Sequence, residues 1–566
     1  MRFPACLCIG AILASAAPVL AQPAPTPAPA PVSAPAAPAA ARAPKLLVVI
    51  SIDQFSTDLF GEYRNQFSGG LARLQQGAAF PNGYQSHAAT ETCPGHSTIL
   101  TGSRPSRTGI IANEWIDQRV ARADKKVYCA EDPAVPGSSS RDYTPSVKTL
   151  RVPTLGGYMK AANPATKVIS VSGKDRAAIM MGGPTVDEIW WWSGNGFTSY
   201  RETPLTPLIE QVNAGVRKSF DQPRASMDVP EFCKPHDRAI RLSDTLSVGA
   251  GHFAREGGDA RAFRASPEAD AAVLALAATQ LEAQKLGRGE GTDLLIVGLS
   301  ATDYVGHSYG NRGAEMCIQL LALDDALGSF LDRLDATGID YMVMLTADHG
   351  GPDIPERLRE QAIVDAERVD PVLYPAAASA AITARTGIAP AQGDLLLGTG
   401  PFGDIYVNSS LTPAQRARVL AEAKAHYADH RQVRAVFSRE ELEAAPAPVG
   451  SPESWTLATI ARASFDPDRS GDLVVLLKPR VMPIATPQPG YVSTHGSPWG
   501  YDRRVPILFW RKGMTHMEQP QGIETVDIMP TLAAQIGIAV PMDSIDGRCL
   551  DLDPGPASSC SGQPGR

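Results

Sequence analysis

The sequence has little aromatic content (6%) and only 8 cysteines in 566 residues. So few cysteines cannot staple a chain of this length, which must instead bury a sizeable core. No CxxC pair occurs, and this argues against a structural zinc site. A basic surplus is also missing: 52 Lys and Arg stand against 60 Asp and Glu, for a net charge of -8. That balance excludes a general nucleic-acid binder working through a basic surface. Beyond the first 21 residues no apolar run reaches membrane-spanning length. Internal repeats are absent. What is present, 43% hydrophobic and 20% charged residues, suits a globular protein with a substantial buried core and argues against wholesale disorder.

Arg2, the apolar stretch Ala5 to Val19 and the small-residue site Val19-Leu20-Ala21 read as a secretory signal peptide over residues 1–21. Residues 22–44 are rich in Pro and Ala and read as an extended linker. The expected protein is exported, periplasmic or secreted, with no membrane attachment after cleavage. Cleavage leaves Cys93, Cys129, Cys233, Cys317, Cys549 and Cys560. An even number in an oxidising compartment suggests disulfides. Proximity in the chain favours Cys549–Cys560 and, more weakly, Cys93–Cys129 and Cys233–Cys317, with other pairings open.

From Lys45 onward continuous apolar runs alternate with helical patterns. Leu46–Ile52 reads as a strand covered on both faces, and similar runs are Lys167–Val171, Leu294–Leu299, Tyr341–Leu345, Leu473–Leu477 and Val505–Trp510. Helices are expected over 266–287, 313–334 and 525–536; Ser266, Pro267 and Gly287 punctuate the first. The fold class is α/β, a mostly parallel central sheet sandwiched by helices, filling residues 45–560. Long insertions near 114–165, 177–262 and 352–468 are expected to form a cap and substrate walls. Trp190-Trp191-Trp192 reads as a strand end packed into the core.

Asp and His recur after the apolar runs: Asp53, Asp303 with His307 four residues on, Asp348 with His349, and His495. In open α/β sheets a ligand sits outside the carboxyl ends of the strands. Three carboxylates and three imidazoles suit zinc, and six ligands suffice for two ions with open positions. Thr92, in Thr90-Glu-Thr-Cys-Pro-Gly-His96, sits near an expected helix start, where backbone amides favour an anion. A threonine hydroxyl becomes a nucleophile when a metal lowers its pKa.

The order Asp53, Thr92, Asp303/His307, Asp348-His349, His495 resembles the alkaline phosphatase superfamily, as does Val526-Asp-Ile-Met-Pro-Thr-Leu532. The resemblance spans about residues 45 to 540. It implies two Zn2+ per chain, one at Asp303, His307 and His495, the other at Asp53, Asp348 and His349 beside Thr92. Ser103-Arg-Pro-Ser-Arg107 matches the sulfatase motif, but the shared Leu100-Thr-Gly102 places the nucleophile at Thr92, which cannot become formylglycine. Lys174 and Arg176, read as two apart on extended backbone, resemble the phosphate-irrepressible, threonine-nucleophile alkaline phosphatases, as does Asn113. The resemblance implies an alkaline phosphatase acting on small-molecule phosphate monoesters, with Asn113, Lys174, Arg176 and the Cys93 amide on the phosphoryl oxygens. The alternative is a phosphodiesterase or nucleotide pyrophosphatase of the same fold. A non-catalytic phosphate- or metal-binding protein is a remoter alternative.

Overall fold

A computed structural model describes residues 42–560; the expected signal peptide and nearly all of the linker lie outside the described residues. The central sheet is built on β1 (Leu46–Ile52), β2 (Ala78–Tyr84), β3 (Val168–Ser172), β4 (Glu188–Trp192), β5 (Asp293–Leu299), β6 (Tyr341–Thr346) and β7 (Arg504–Arg511). Their order is β2-β7-β6-β1-β5-β3-β4, with short strands at both edges. β6, β1, β5, β3 and β4 run parallel, whereas β7 is antiparallel to both β6 and β2.

The unbroken apolar runs arise because both faces of the sheet are covered. Leu46, Val48 and Ile50 of β1 belong to the core that includes Leu327 and Leu331 of a long helix; Leu47 and Val49 belong to the opposite core, with Ile99, Met529 and Leu532. Four helices frame the carboxyl ends of the strands or back the sheet: α1 (Thr92–Ile99), α2 (Asp175–Gly182), α3 (Ala301–Tyr309) and α4 (Ala314–Ala336), the last carrying Leu327 and Leu331. The helix expected from Ser266 runs over Pro267–Ala283 and stops at a Gln284 C-cap, short of the expected Gly287, which adopts φ +72° in the turn that follows. Trp190 and Trp191 are buried on β4, as the reading of that run requires.

Two sequence expectations need correction. Leu473–Leu477 is not in the central sheet. It pairs antiparallel with Gly403–Val407 and Val433–Ser438 in a separate four-stranded sheet with its own core. His495 therefore arrives on a loop between that sheet and β7. Secondly, the 177–262 stretch is not all insertion, because β4 and Phe197–Thr198 extend the central sheet.

Disulfides join Cys93–Cys129, Cys233–Cys317 and Cys549–Cys560, the pairs that proximity favours. Three such bonds fit a chain that matures in an oxidising compartment. Among the described residues no helix is long and apolar enough to cross a membrane.

His87, fully buried, has its pKa pushed down to about 3, chiefly by burial and then by the Arg503 charge. The unfolded chain binds this proton near pH 6.5 and the folded chain does not. Stability is therefore lost as pH falls below about 6.5. Between pH 7 and 5 the loss from this group is expected to be about 2 kcal/mol. Denaturant melts of wild type and His87→Phe at the two pH values check it: the variant's slope with pH should be smaller by that amount.

Candidate metal centre and its cleft

The loops after β1, β5 and β6 leave the sheet at one end, and each delivers a carboxylate. Asp53 follows β1 directly. The next residue, Gln54, has φ +67°, a conformation non-glycine residues adopt at a cost, and its amide donates to Asp348 Oδ1 at 3.1 Å. Asp303 and His307 lie on α3, four apart and so on one face. Asp348 and His349 follow β6. Thr92 opens α1 with Glu91 as its N-cap, so the helix starts at Thr92 itself. Gly95 lets α1 approach the β6 loop, since a Cβ there would lie 2.0 Å from Asp348 O.

These side chains converge. His307 Nε2 and His495 Nε2 lie 3.2 and 3.4 Å from Asp303 Oδ1. His349 Nε2 lies 3.4 Å from Asp53 Oδ1 and 3.3 Å from Asp348 Oδ2. The His349 and His495 rings stack at 3.5 Å between centroids. His349 accordingly stands close to Asp303 and His495 as well as to Asp53 and Asp348. Each imidazole is held from behind: His307 Nδ1 meets Ser493 O at 2.7 Å, His349 Nδ1 meets Gly350 O at 2.9 Å and His495 Nδ1 meets Thr90 O at 2.8 Å. With Nδ1–H donated to a carbonyl, each Nε2 presents a lone pair to the centre, the arrangement metal ligation uses.

The donor set fits divalent cations. Asp53 Oδ1, Asp303 Oδ1, Asp348 Oδ2, His349 Nε2 and Thr92 Oγ1 are buried with no hydrogen-bond partner. Buried polar atoms without partners are costly and call for a binding partner. Burial, together with the Asp303 and Asp348 charges, pushes the Asp53 carboxyl up. Burial takes His349 down to about 3, so its ring is neutral, as a ligand must be. Lys174 Nζ bridges Asp53 Oδ2 at 2.6 Å and Asp303 Oδ2 at 2.5 Å. Burial opposes its charge, but Asp303 and Asp53 outweigh that and raise its pKa.

Lys174 contacts two carboxylates of this cluster and Arg176 lines the cleft, but neither does so from extended backbone. Lys174 is the N-cap of α2 and Arg176 lies in its first turn. Arg176 lines the cleft and sits 3.5 Å from Tyr128 Oη, which donates to Asp175 Oδ1 at 2.9 Å. Asn113 also lines the cleft. Its Oδ1 accepts the Cys93 backbone N–H at 2.8 Å, so that amide is engaged within the protein, and the Asn113 backbone N–H donates to Glu91 Oε2 at 2.6 Å. The Cys93–Cys129 disulfide closes the arrangement, with the Cys129 amide donating to Asn113 O at 2.9 Å.

Sequence reasoning missed Glu91, His96 and Asp404. His96 Nδ1 lies 3.1 Å from Asp348 Oδ2, and its place one turn after Thr92 was the available signal. Glu91 is raised by burial, and Asp404 is pushed up to about 6 by burial and then by Glu91. Asp404 comes from the far insertion, and nothing local in the sequence marks it.

A family model described as type I phosphodiesterase / nucleotide pyrophosphatase matches residues 47–498, and the chain belongs to that family, within the alkaline phosphatase superfamily. Its similarity to particular members is high. It is 57% identical over 526 residues to alkaline phosphatase PhoK of Sphingomonas sp, covering 92% of this chain and 94% of that one. It is 49% identical over 520 residues to alkaline phosphatase PhoD of Zymomonas mobilis, covering 91% and 89%. The crystal structure of wild-type alkaline phosphatase PafA shares the fold, with a TM-score of 0.76 at 24% identity over 90% of this chain and 99% of that one.

Proposed function

We propose that the protein is an exported, zinc-dependent alkaline phosphatase that hydrolyses phosphate monoesters through a phosphothreonine. The observation that carries the reading is Thr92 Oγ1, buried and unpartnered at the start of α1 and lining the same cleft as His307 and His495. Two Zn2+, one at Asp303, His307 and His495 and one at Asp53, Asp348 and His349, would supply Lewis acidity and lower the pKa of the Thr92 hydroxyl. Thr92 Oγ1 attacks phosphorus, the ester oxygen leaves with the alcohol, and water then displaces the phosphoryl group from Thr92. Arg176 forks onto two equatorial oxygens, and Lys174 supplies a compact positive charge between Asp53 and Asp303. Asn113 Nδ2 donates to a third oxygen, while its Oδ1 holds the amide at the start of α1. The high identity to two relatives named alkaline phosphatases supports the monoester reading over the diesterase reading that the family description alone suggests. The three disulfides support maturation outside the cytoplasm, in the periplasm or the medium.

The test is zinc dependence on an aryl phosphate at alkaline pH. Chelation should abolish turnover and zinc should restore it, with two ions bound per chain. Full activity after complete metal removal would overturn the proposal.

Tyr128 orients Arg176 through its hydroxyl. Tyr128→Phe should weaken competitive inhibition by inorganic phosphate about two- to tenfold, the worth of one hydrogen bond. An unchanged inhibition constant would remove Tyr128 from that role.

A further inference from the structure

The cleft above Thr92 has a volume of about 770 Å³, far more than a phosphoryl group fills. Its outer part is built by the far insertion and the loop that carries His495. Two aromatic rings flank the imidazoles there. Tyr491, 48% exposed, lies 5.5 Å from the His307 ring between centroids. Phe402 packs on the backbone beside His495, its Cζ 3.1 Å from where a Cβ on Gly496 would lie. Tyr374 and Ile484 extend the apolar wall. Charge is equally one-sided. Among the described residues Arg176 is the only Lys or Arg lining the cleft, and it belongs to the phosphoryl end. The other charged side chains lining it, apart from the His307 and His495 imidazoles, are the carboxylates of Glu91, Glu114 and Asp404.

We infer that this outer cleft is the leaving-group subsite, and that it takes an uncharged alcohol bearing an aromatic ring and rejects alcohols carrying a further anionic group. The inference rests on the phosphomonoesterase reading. In-line displacement sends the leaving oxygen away from Thr92, towards His307 and His495, and so between Tyr491 and Phe402. A ring placed there gains apolar burial and aromatic contact. A carboxylate or second phosphate would meet Glu91 and Asp404 in a partly desolvated cleft whose outer lining, among the described residues, offers no Lys or Arg to pair it.

The test compares esters whose alcohols have nearly equal acidity: 2-phenylethyl phosphate, ethyl phosphate and 2-(4-carboxyphenyl)ethyl phosphate. In the wild type kcat/KM should be about tenfold or more higher for phenylethyl than for ethyl phosphate. The carboxylated ester should fall back by about tenfold. Tyr491→Ala and, separately, Phe402→Ala should bring the first ratio below about threefold. Asp404→Asn should narrow the second ratio. Because each is a ratio within one protein, partial loss of folded enzyme does not affect it. Calorimetric titration with 3-phenylpropylphosphonate and propylphosphonate reads the subsite without turnover, and the phenyl compound should bind about tenfold tighter. Equal constants for the paired esters or the paired phosphonates, or preference for the carboxylated ester, would overturn the inference. If no ester is turned over, the phosphatase reading fails. The phosphonate pair still decides the subsite, and equal affinities then overturn it.

Discussion

Thr92→Ala is expected to lower kcat/KM by at least about 10,000-fold, the scale on which loss of a covalent nucleophile is felt. Metal content should stay at the wild-type level. The nearby hydroxyls of the same segment are engaged. Thr90 Oγ1 donates to Ser497 O at 2.8 Å, Ser97 Oγ to Pro94 O at 2.7 Å and Thr98 Oγ1 to Gly95 O at 2.8 Å. Thr92 Oγ1 alone among these is buried without a partner. Acid quenching of the wild type during turnover of a phosphorus-labelled ester should leave label on the peptide containing Thr92, and the variant should carry none. Thr92→Ser should retain turnover, because a hydroxyl remains at the helix start. Substantial activity in the alanine variant would place the nucleophile elsewhere.

The second large effect is expected at Asp303. Its Oδ1 faces both His307 and His495, and its Oδ2 accepts from Lys174. Asp303→Ala would remove a proposed ligand from one site and leave Lys174 with Asp53 as its remaining carboxylate. Metal analysis should fall from two ions towards one, and kcat should drop by about 1,000-fold or more, since stabilisation of charge on the leaving oxygen goes with the ion. The surviving ion distinguishes this from unfolding. A variant that keeps two tightly bound ions and near-normal kcat would contradict the ligand assignment.

The parallel core of the fold was legible because a strand covered on both faces is apolar at nearly every position, and β1, β5 and β6 are, apart from Ser51, Asp293 and Thr346. Their carboxyl-end residues Asp53, Asp303, Asp348 and His349 were legible for the same reason: the strand fixes where the next side chain emerges. Leu473–Leu477 looks alike in sequence but belongs to another sheet, since an apolar run reports burial and not the neighbour that buries it. The spacing of Lys174 and Arg176 suggested one face of extended chain. The chain instead turns into α2, and Lys174 meets Asp53 and Asp303 while Arg176 lines the cleft, both from a helix start. The outer cleft was not legible at all. Phe402, Asp404 and Tyr491 come from segments hundreds of residues from Thr92, and only tertiary packing brings them over it.

The central claim is that a threonine-nucleophile metal site with Lys174 and Arg176 at its phosphoryl end selects monoesters. A monoester dianion has one more anionic oxygen than a diester, and these two cations are what answer it. The most direct measurement is kcat/KM for an aryl phosphate against its matching methyl aryl diester, in zinc-loaded wild type and in the Lys174→Ala/Arg176→Ala double variant. The wild type should favour the monoester by about 1,000-fold or more, and the double variant should lose most of that preference through the monoester rate alone. A wild type that prefers the diester, or a preference untouched by removing both cations, would contradict the account.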